Sequence, residues 1–137
     1  MSSSEFIRLA SVASVFLIAV VVAFQTALAA GAPWGAAAYG GRFVEGDGRL
    51  PTRYRLSSAV TALVLLAIAW LMLAAGSVIG QGPVPDLVLT ASVWVLAGLF
   101  TLNTAGNLSG KHPVERFGAS AFTAALTVLC IAIAAGR

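Results

Sequence analysis

Charge is scarce in this chain: of 137 residues only 9% are Asp, Glu, Lys or Arg, against roughly 25% in soluble globular domains. With 59% hydrophobic residues and a mean hydropathy of +0.95, an ordinary water-soluble fold is excluded. Cysteine is nearly absent. The single Cys130 rules out an internal disulfide, a C-x-x-C redox pair and a thiolate metal cluster. The single His112 removes the usual zinc and bis-histidine haem sites. No P-loop or dinucleotide fingerprint occurs, since Gly46 and Gly48 stand in a charged segment rather than after a strand. No metal or other cofactor is therefore expected, and no catalytic residue is assigned.

What the chain has instead is four apolar runs, at about 6–30, 56–80, 87–107 and 117–135, each long enough to cross a bilayer as a helix. Backbone N–H and C=O groups find no water in hydrocarbon, so such runs must be helical unless strands close into a barrel. The alternating polarity of barrel strands is absent. The expected fold is all-α, a four-transmembrane-helix bundle occupying residues 1–137 as one membrane domain. The second run is the most apolar. The fourth is rich in small residues, Gly118, Ala119, Ala121, Ala124, Ala125 and Ala132, and is expected to pack closely on its neighbours. Ala27-Leu28-Ala29 imitates a signal-peptide cleavage site, but the apolar run before it exceeds the usual signal core, so this span is read as a retained helix.

Lys and Arg are unevenly placed. The first connection carries Arg42, Arg49, Arg53 and Arg55 and the third carries Lys111 and Arg116, against Arg8 and Arg137 near the termini and none in the second connection. By the positive-inside rule, loops 31–55 and 108–116 face the cytoplasm and both termini lie outside. The basic character (sequence pI about 9.8) then points to anionic lipid, not nucleic acid, for which no soluble basic surface exists. In the first connection Pro33 should end or bend the first helix, and Trp34 and Tyr39 suit the headgroup level. The glycine-rich stretch 31–41 is expected to lie on the membrane or dip into it. Arg53 and Arg55 are expected to meet lipid phosphates.

If the helices alternate in direction, Gln25 and Thr26, Ser57, Ser58 and Thr61, Asn103 and Asn107, and Ser120 and Thr123 fall toward one face as a polar layer. Asn103 and Asn107, four apart, share a side of their helix. Amides in hydrocarbon need partners, so both should turn inward, with Asn103 reaching Gln25. Such a layer serves either as interhelical glue or as the wall of a small cavity.

In the third connection Pro113 fits a first helical turn, placing Glu115 where a carboxylate complements the helix dipole. Arg116 is unfavourable there and should pair with a phosphate or carboxylate. A cross-loop pair of Glu115 with Arg53 or Arg55 is expected. Ser109, His112 and Glu115 recur every three residues, but no elbow turn or oxyanion donor supports a nucleophile–base–orienter reading, and His112 reads as interfacial.

No Asp, Glu, Lys or Arg stands at the centre of a span, which weakens a proton-coupled pump. Small multidrug-resistance transporters match the size but rely on a membrane-embedded glutamate. Gln25, the nearest polar residue, cannot carry a proton.

Taken together, Gly31, Pro33, Trp34 and Gly35, then Gly40, Gly41, Leu50, Pro51, Arg55 and Ser58, and later Asn107, Ser109, Glu115 and Arg116 resemble a family of small uncharacterised bacterial four-helix integral membrane proteins with a GxPWG-type first loop and an ER-type third loop. The resemblance implies the membrane architecture and the pairing of those two loops. Seven arginines to one lysine, with abundant Ala and Gly, also fit a GC-rich bacterial genome. The expected function is non-enzymatic: binding of a lipid headgroup, a small amphiphile or a subunit of a larger membrane complex. The binding residues would be Gln25, Trp34, Arg53, Arg55, Asn103, Asn107, His112, Glu115 and Arg116, and the partners membrane lipids together with either another membrane protein or further copies of the chain. The alternative is a small transporter or lipid-acting enzyme with a cytoplasm-facing cavity.

Overall fold

A computed structural model describes residues 1–137 as four long helices: α1 (Ser3–Ala30), α2 (Thr52–Ala75), α3 (Asp86–Leu108) and α4 (Ser120–Gly136), the last continuing a π-helical turn over Val114–Ala119. There is no strand, and all four helices are long and apolar enough to cross a membrane. At about 1.5 Å per residue, even the shorter spans of 23 residues exceed the roughly 30 Å of a hydrocarbon core.

Local signals set the ends. Ser2 caps α1 in a capping box with Glu5: the Glu5 N–H donates to Ser2 Oγ, and the Ser2 N–H to Glu5 Oε2. Gly31, at φ +96°, closes α1 in the left-handed conformation that glycine adopts most cheaply. Pro51 and Pro85 immediately precede α2 and α3, positions where a missing N–H does no harm.

The second helix lies four to five residues earlier than the sequence expectation of 56–80. It starts at Thr52 because the basic segment 52–55 winds as helix against the first loop. It stops at Ala75, although Val78 and Ile79 are apolar, because α1 crosses there. A Cβ on Gly76 would meet Ser11 Oγ at 2.1 Å, and Ser77 already has φ +52°.

α1 packs chiefly on α2 and α3 chiefly on α4, and α1 against α4 joins the two hairpins; of the four adjacent pairs, α2 and α3 pack most loosely. The fourth helix packs on α1 and α3, but through Leu126, Cys130, Ile133 and Ala134; of its expected small contact residues none is buried, and Ala121 and Ala124 face outward. Ile18, Met72, Leu89, Val93, Leu126, Cys130 and Ile133 form the buried centre, where the Cys130 thiol lies 3.9 Å from Met72 Sδ. Only 29 of 137 residues are buried, while Phe16, Leu63, Leu66, Leu87, Leu102 and Val128 are more than half exposed. In water such a continuous apolar exterior would aggregate; in lipid it is the solvent-facing surface.

Candidate functional site at the loop-bearing end

The chain places its two arginine-bearing connections on the same end of the bundle, and the first of them is a folded structure with its own small core. Leu28 from α1, Ala38 and Leu50 are buried together, flanked by Phe24, Tyr39 and Tyr54. The arms of the loop are tied by Gly35 N–H donating to Gly48 O at 2.9 Å and Glu45 N–H to Arg49 O at 2.8 Å. Gly35 is required there, since a Cβ would sit 2.7 Å from Val44 Cγ2 and 2.9 Å from Gly48 O. Segment 31–51 folds back over the helix ends as an ordered unit. Burying Leu50 and pairing its own backbone is favourable where free peptide groups in the interface would not be.

Two polar contacts fasten this loop to the bundle. Tyr39, held at φ +53°, sets its hydroxyl 3.1 Å from Ser58 Oγ on α2 and donates to Tyr54 O at 3.4 Å. Gly40, at φ +70°, turns its N–H outward from the loop to donate to Glu115 Oε1 at 2.9 Å, across 75 residues of sequence. Glu115 is only 8% exposed, on the π turn that opens the fourth span. Its second oxygen, Oε2, is buried without a hydrogen-bond partner and lies where a Cβ on Gly110 would come within 2.6 Å. Two glycines thus make room for one carboxylate: Gly40 by its conformation and Gly110 by its missing side chain.

The expected pairing of Glu115 with Arg53 or Arg55 is not formed. Arg53 instead donates to the Tyr54 hydroxyl at 2.9 Å and lies over that ring, 4.7 Å from its centroid. Phe43 also stacks on Tyr54, with ring centroids 4.0 Å apart. Arg55 donates Nε to Ala29 O at 3.0 Å, satisfying a carbonyl left open at the end of α1. A backbone N–H outcompetes a guanidinium for Glu115 because the carboxylate is buried under the loop, whereas both arginines find acceptors on their own side.

The expected inward pair of asparagines is also corrected. Asn103 is exposed, Asn107 half-buried, and neither side chain makes a hydrogen bond. Gln25 keeps Oε1 buried and unpartnered rather than meeting Asn103. The link between α3 and α4 at this depth comes from Thr104, which donates to Thr123 Oγ1 at 2.8 Å. Hydroxyls serve here because one can accept across the helices while donating to its own helix, as Thr123 does to Ala119 O. Ser120 Oγ is buried without a partner.

Ser109, His112 and Glu115 do not converge on one another. Ser109 donates to Gly106 O at 2.6 Å, His112 Nδ1 accepts from Val114 N–H at 3.2 Å, and Glu115 holds Gly40. Arg116 is exposed beside Phe117, 5.5 Å from the ring centroid. Trp34, half exposed, stacks in parallel on Phe24 with centroids 6.1 Å apart. Of the sequence-derived candidates, Trp34, Arg53, Arg55, His112, Glu115 and Arg116 share this end through the two loops, while Asn103 stands on the outside of α3.

Sequence reasoning passed over Tyr39 as a fastening residue and Gly40 and Gly110 as the partners of Glu115. The doublet Gly40-Gly41 was the available signal. It also passed over the opposite end, where Arg137 donates to Thr90 Oγ1 at 3.0 Å, to Ala75 O, and to Asp86 at 3.1 Å, closing α4 on α2 and α3.

Charge divides sharply between the two ends. The loop-bearing end holds six Lys and Arg against Glu45, Asp47 and the buried Glu115; the other end holds Arg8 and Arg137 against Glu5 and Asp86. The whole formal excess of +3 therefore sits at one end. No group of three His, Cys, Asp or Glu side chains gathers anywhere in the chain. Two clefts of about 560 and 510 Å³ lie at the opposite end, beside Glu5, Arg8, Asp86 and Arg137, and neither is lined by Gln25, Asn103, His112 or Glu115. Compared with protein-family models, with curated proteins and with solved structures, the chain matches none.

Proposed function

We propose that this chain is a small, non-enzymatic, multi-pass protein of a bacterial cytoplasmic membrane that holds anionic lipid headgroups at its loop-bearing end, which faces the cytoplasm. The observation that carries the reading is the charge partition. Arg42, Arg49, Arg53, Lys111 and Arg116 are all exposed at one end of the bundle, and each cation near an anionic leaflet contributes about 1 kcal/mol.

The folded loop makes the reading more specific than a basic tail would. Its backbone is already ordered by the Leu50 core and by Glu115, so phosphate contact costs little further ordering. Trp34 is half exposed at the same end, with its ring placed for the headgroup region. Arg55 has no protein acceptor for its terminal Nη atoms, its one bond being Nε to Ala29 O. Separate local bonds on Ser109, His112 and Glu115 favour binding over a lipid-acting enzyme.

The test is lipid retention. The intact protein is exchanged into nanodiscs of equal phosphatidylglycerol and phosphatidylcholine, extracted in mild detergent, and its bound lipids are weighed by native mass spectrometry. Enrichment of phosphatidylglycerol that falls with added salt, and that is lost when Arg42, Arg49 and Arg53 are all replaced by Gln, supports the proposal. Equal retention of both lipids overturns it, and a co-purifying membrane protein without lipid enrichment favours the accessory-subunit reading instead.

A further inference from the structure

Asn103 is an amide on the outside of an apolar span. It lies five residues before the end of α3, about 7 to 8 Å along the helix axis, inside the stretch that must cross hydrocarbon. Its side chain is exposed and makes no hydrogen bond. Hydroxyls elsewhere on α3 are satisfied within the protein: Ser92 and Thr101 each donate to the carbonyl four residues back, and Thr104 is bonded to Thr123. An amide cannot be left so in lipid without a cost that a partner would remove.

The position of Asn103 on the helix shows what can reach it. Thr104, bonded to Thr123, and Thr90, bonded to Arg137, mark the side of α3 that faces α4. Successive residues turn by about 100°, so Asn103 stands about a quarter turn from Thr104, on the flank away from α4. The same flank carries Leu99, 50% exposed, and Gly106, whose absent side chain would meet nothing within 4 Å. A glycine in open space one turn from an unbonded amide lets a second helix come close enough to bond it.

The occupant follows from depth and from the chemistry of the group. A lipid tail has no hydrogen-bonding atom. A second copy with the same orientation in the membrane presents its own Asn103 at the same depth, and a carboxamide is both acceptor and donor, so it is complementary to itself across a two-fold axis. We propose that the α3 flank carrying Leu99, Asn103 and Gly106 is a homodimer seam in which the Asn103 amides of two copies hydrogen-bond. This seam is independent of the headgroup reading.

The experiment uses the full chain in liposomes. With Leu99→Cys, mild oxidation gives a covalent dimer, whereas Val128→Cys, equally lipid-facing on α4 at 65% exposure, gives none. The native Cys130 is fully buried and stays out of the reaction. Energy transfer between labelled copies, followed on dilution with lipid, shows Asn103→Leu associating about three- to thirty-fold more weakly than the native chain, and Asn103→Gln close to it. Circular dichroism of both variants matches the native chain, because the side chain is exposed and makes no hydrogen bond in its own protomer. Equal cross-linking at 99 and 128, energy transfer that Asn103→Leu leaves unchanged, or a monomer at every dilution would overturn the proposal.

Discussion

Glu115 shows how one side chain can hold a loop that the rest of the chain only encloses. Its Oε1 takes the Gly40 N–H while Oε2 sits unpartnered against Gly110. Removing a hydrogen-bonded partner from a buried site costs more than the bond is worth in water, about 1–3 kcal/mol. Glu115→Ala is therefore expected to lower stability in detergent by about that amount and to speed tryptic cleavage after Arg42 and Arg49. Glu115→Gln keeps an acceptor for Gly40 and should lose less; equal cleavage rates in Glu115→Ala and the native protein would refute the fastening role. On the other fastening, Tyr39→Phe and Ser58→Ala should each cost about 0.5–1.5 kcal/mol. The double variant should cost clearly less than the two together, since both remove the same bond. From the sequence, Glu115 stood out as a carboxylate at a helix start, but its partner did not. Charge complementarity pointed to arginines; the actual donor is a backbone N–H presented by a left-handed glycine, which leaves no mark in residue type.

At the level of the helices, the prolines and glycines carried most of the readable information. Pro51 and Pro85 mark the starts of α2 and α3, and Gly31 the end of α1. The end of α2 was not readable, because Val78 and Ile79 continue the apolar pattern while the crossing of α1 at Ser11 stops the helix. Gly76→Ala drives a methyl into Ser11 Oγ and Cβ, 2.1 and 2.4 Å from the added Cβ. It should destabilise the protein by about 1–3 kcal/mol as measured by unfolding in detergent. Ser11→Gly removes both clashing atoms and should restore part of the loss, limited by the roughly 1 kcal/mol that glycine costs inside a helix. Ser11→Ala, which leaves its Cβ in place, should restore less; a Gly76→Ala protein as stable as the native one would refute the tight crossing of α1 and α2 at this point.

For the molecule as a whole, the expected orientation rests on the confinement of the net charge to one end. In sealed inside-out vesicles, Lys111→Cys should react with an impermeant thiol reagent from outside and Ser2→Cys should not; right-side-out vesicles should reverse the pattern. Labelling of Ser2→Cys from the cytoplasmic side would overturn the orientation. The number of spans and the all-helical class could be read directly from the chain because hydropathy is a property of contiguous residues. Twenty apolar residues in a row dictate a helix in lipid whatever surrounds them. The division of charge was readable for the same reason, once alternating helices assign each connection to an end. Which polar group meets which was decided only by folding. Asn103 turned outward, Thr104 took Thr123, Arg55 took Ala29 O and Glu115 took Gly40. A hydrogen bond depends on atoms approaching within about 3 Å, and residues 75 apart are brought to that distance by the packing of whole helices, not by anything local in their neighbourhoods.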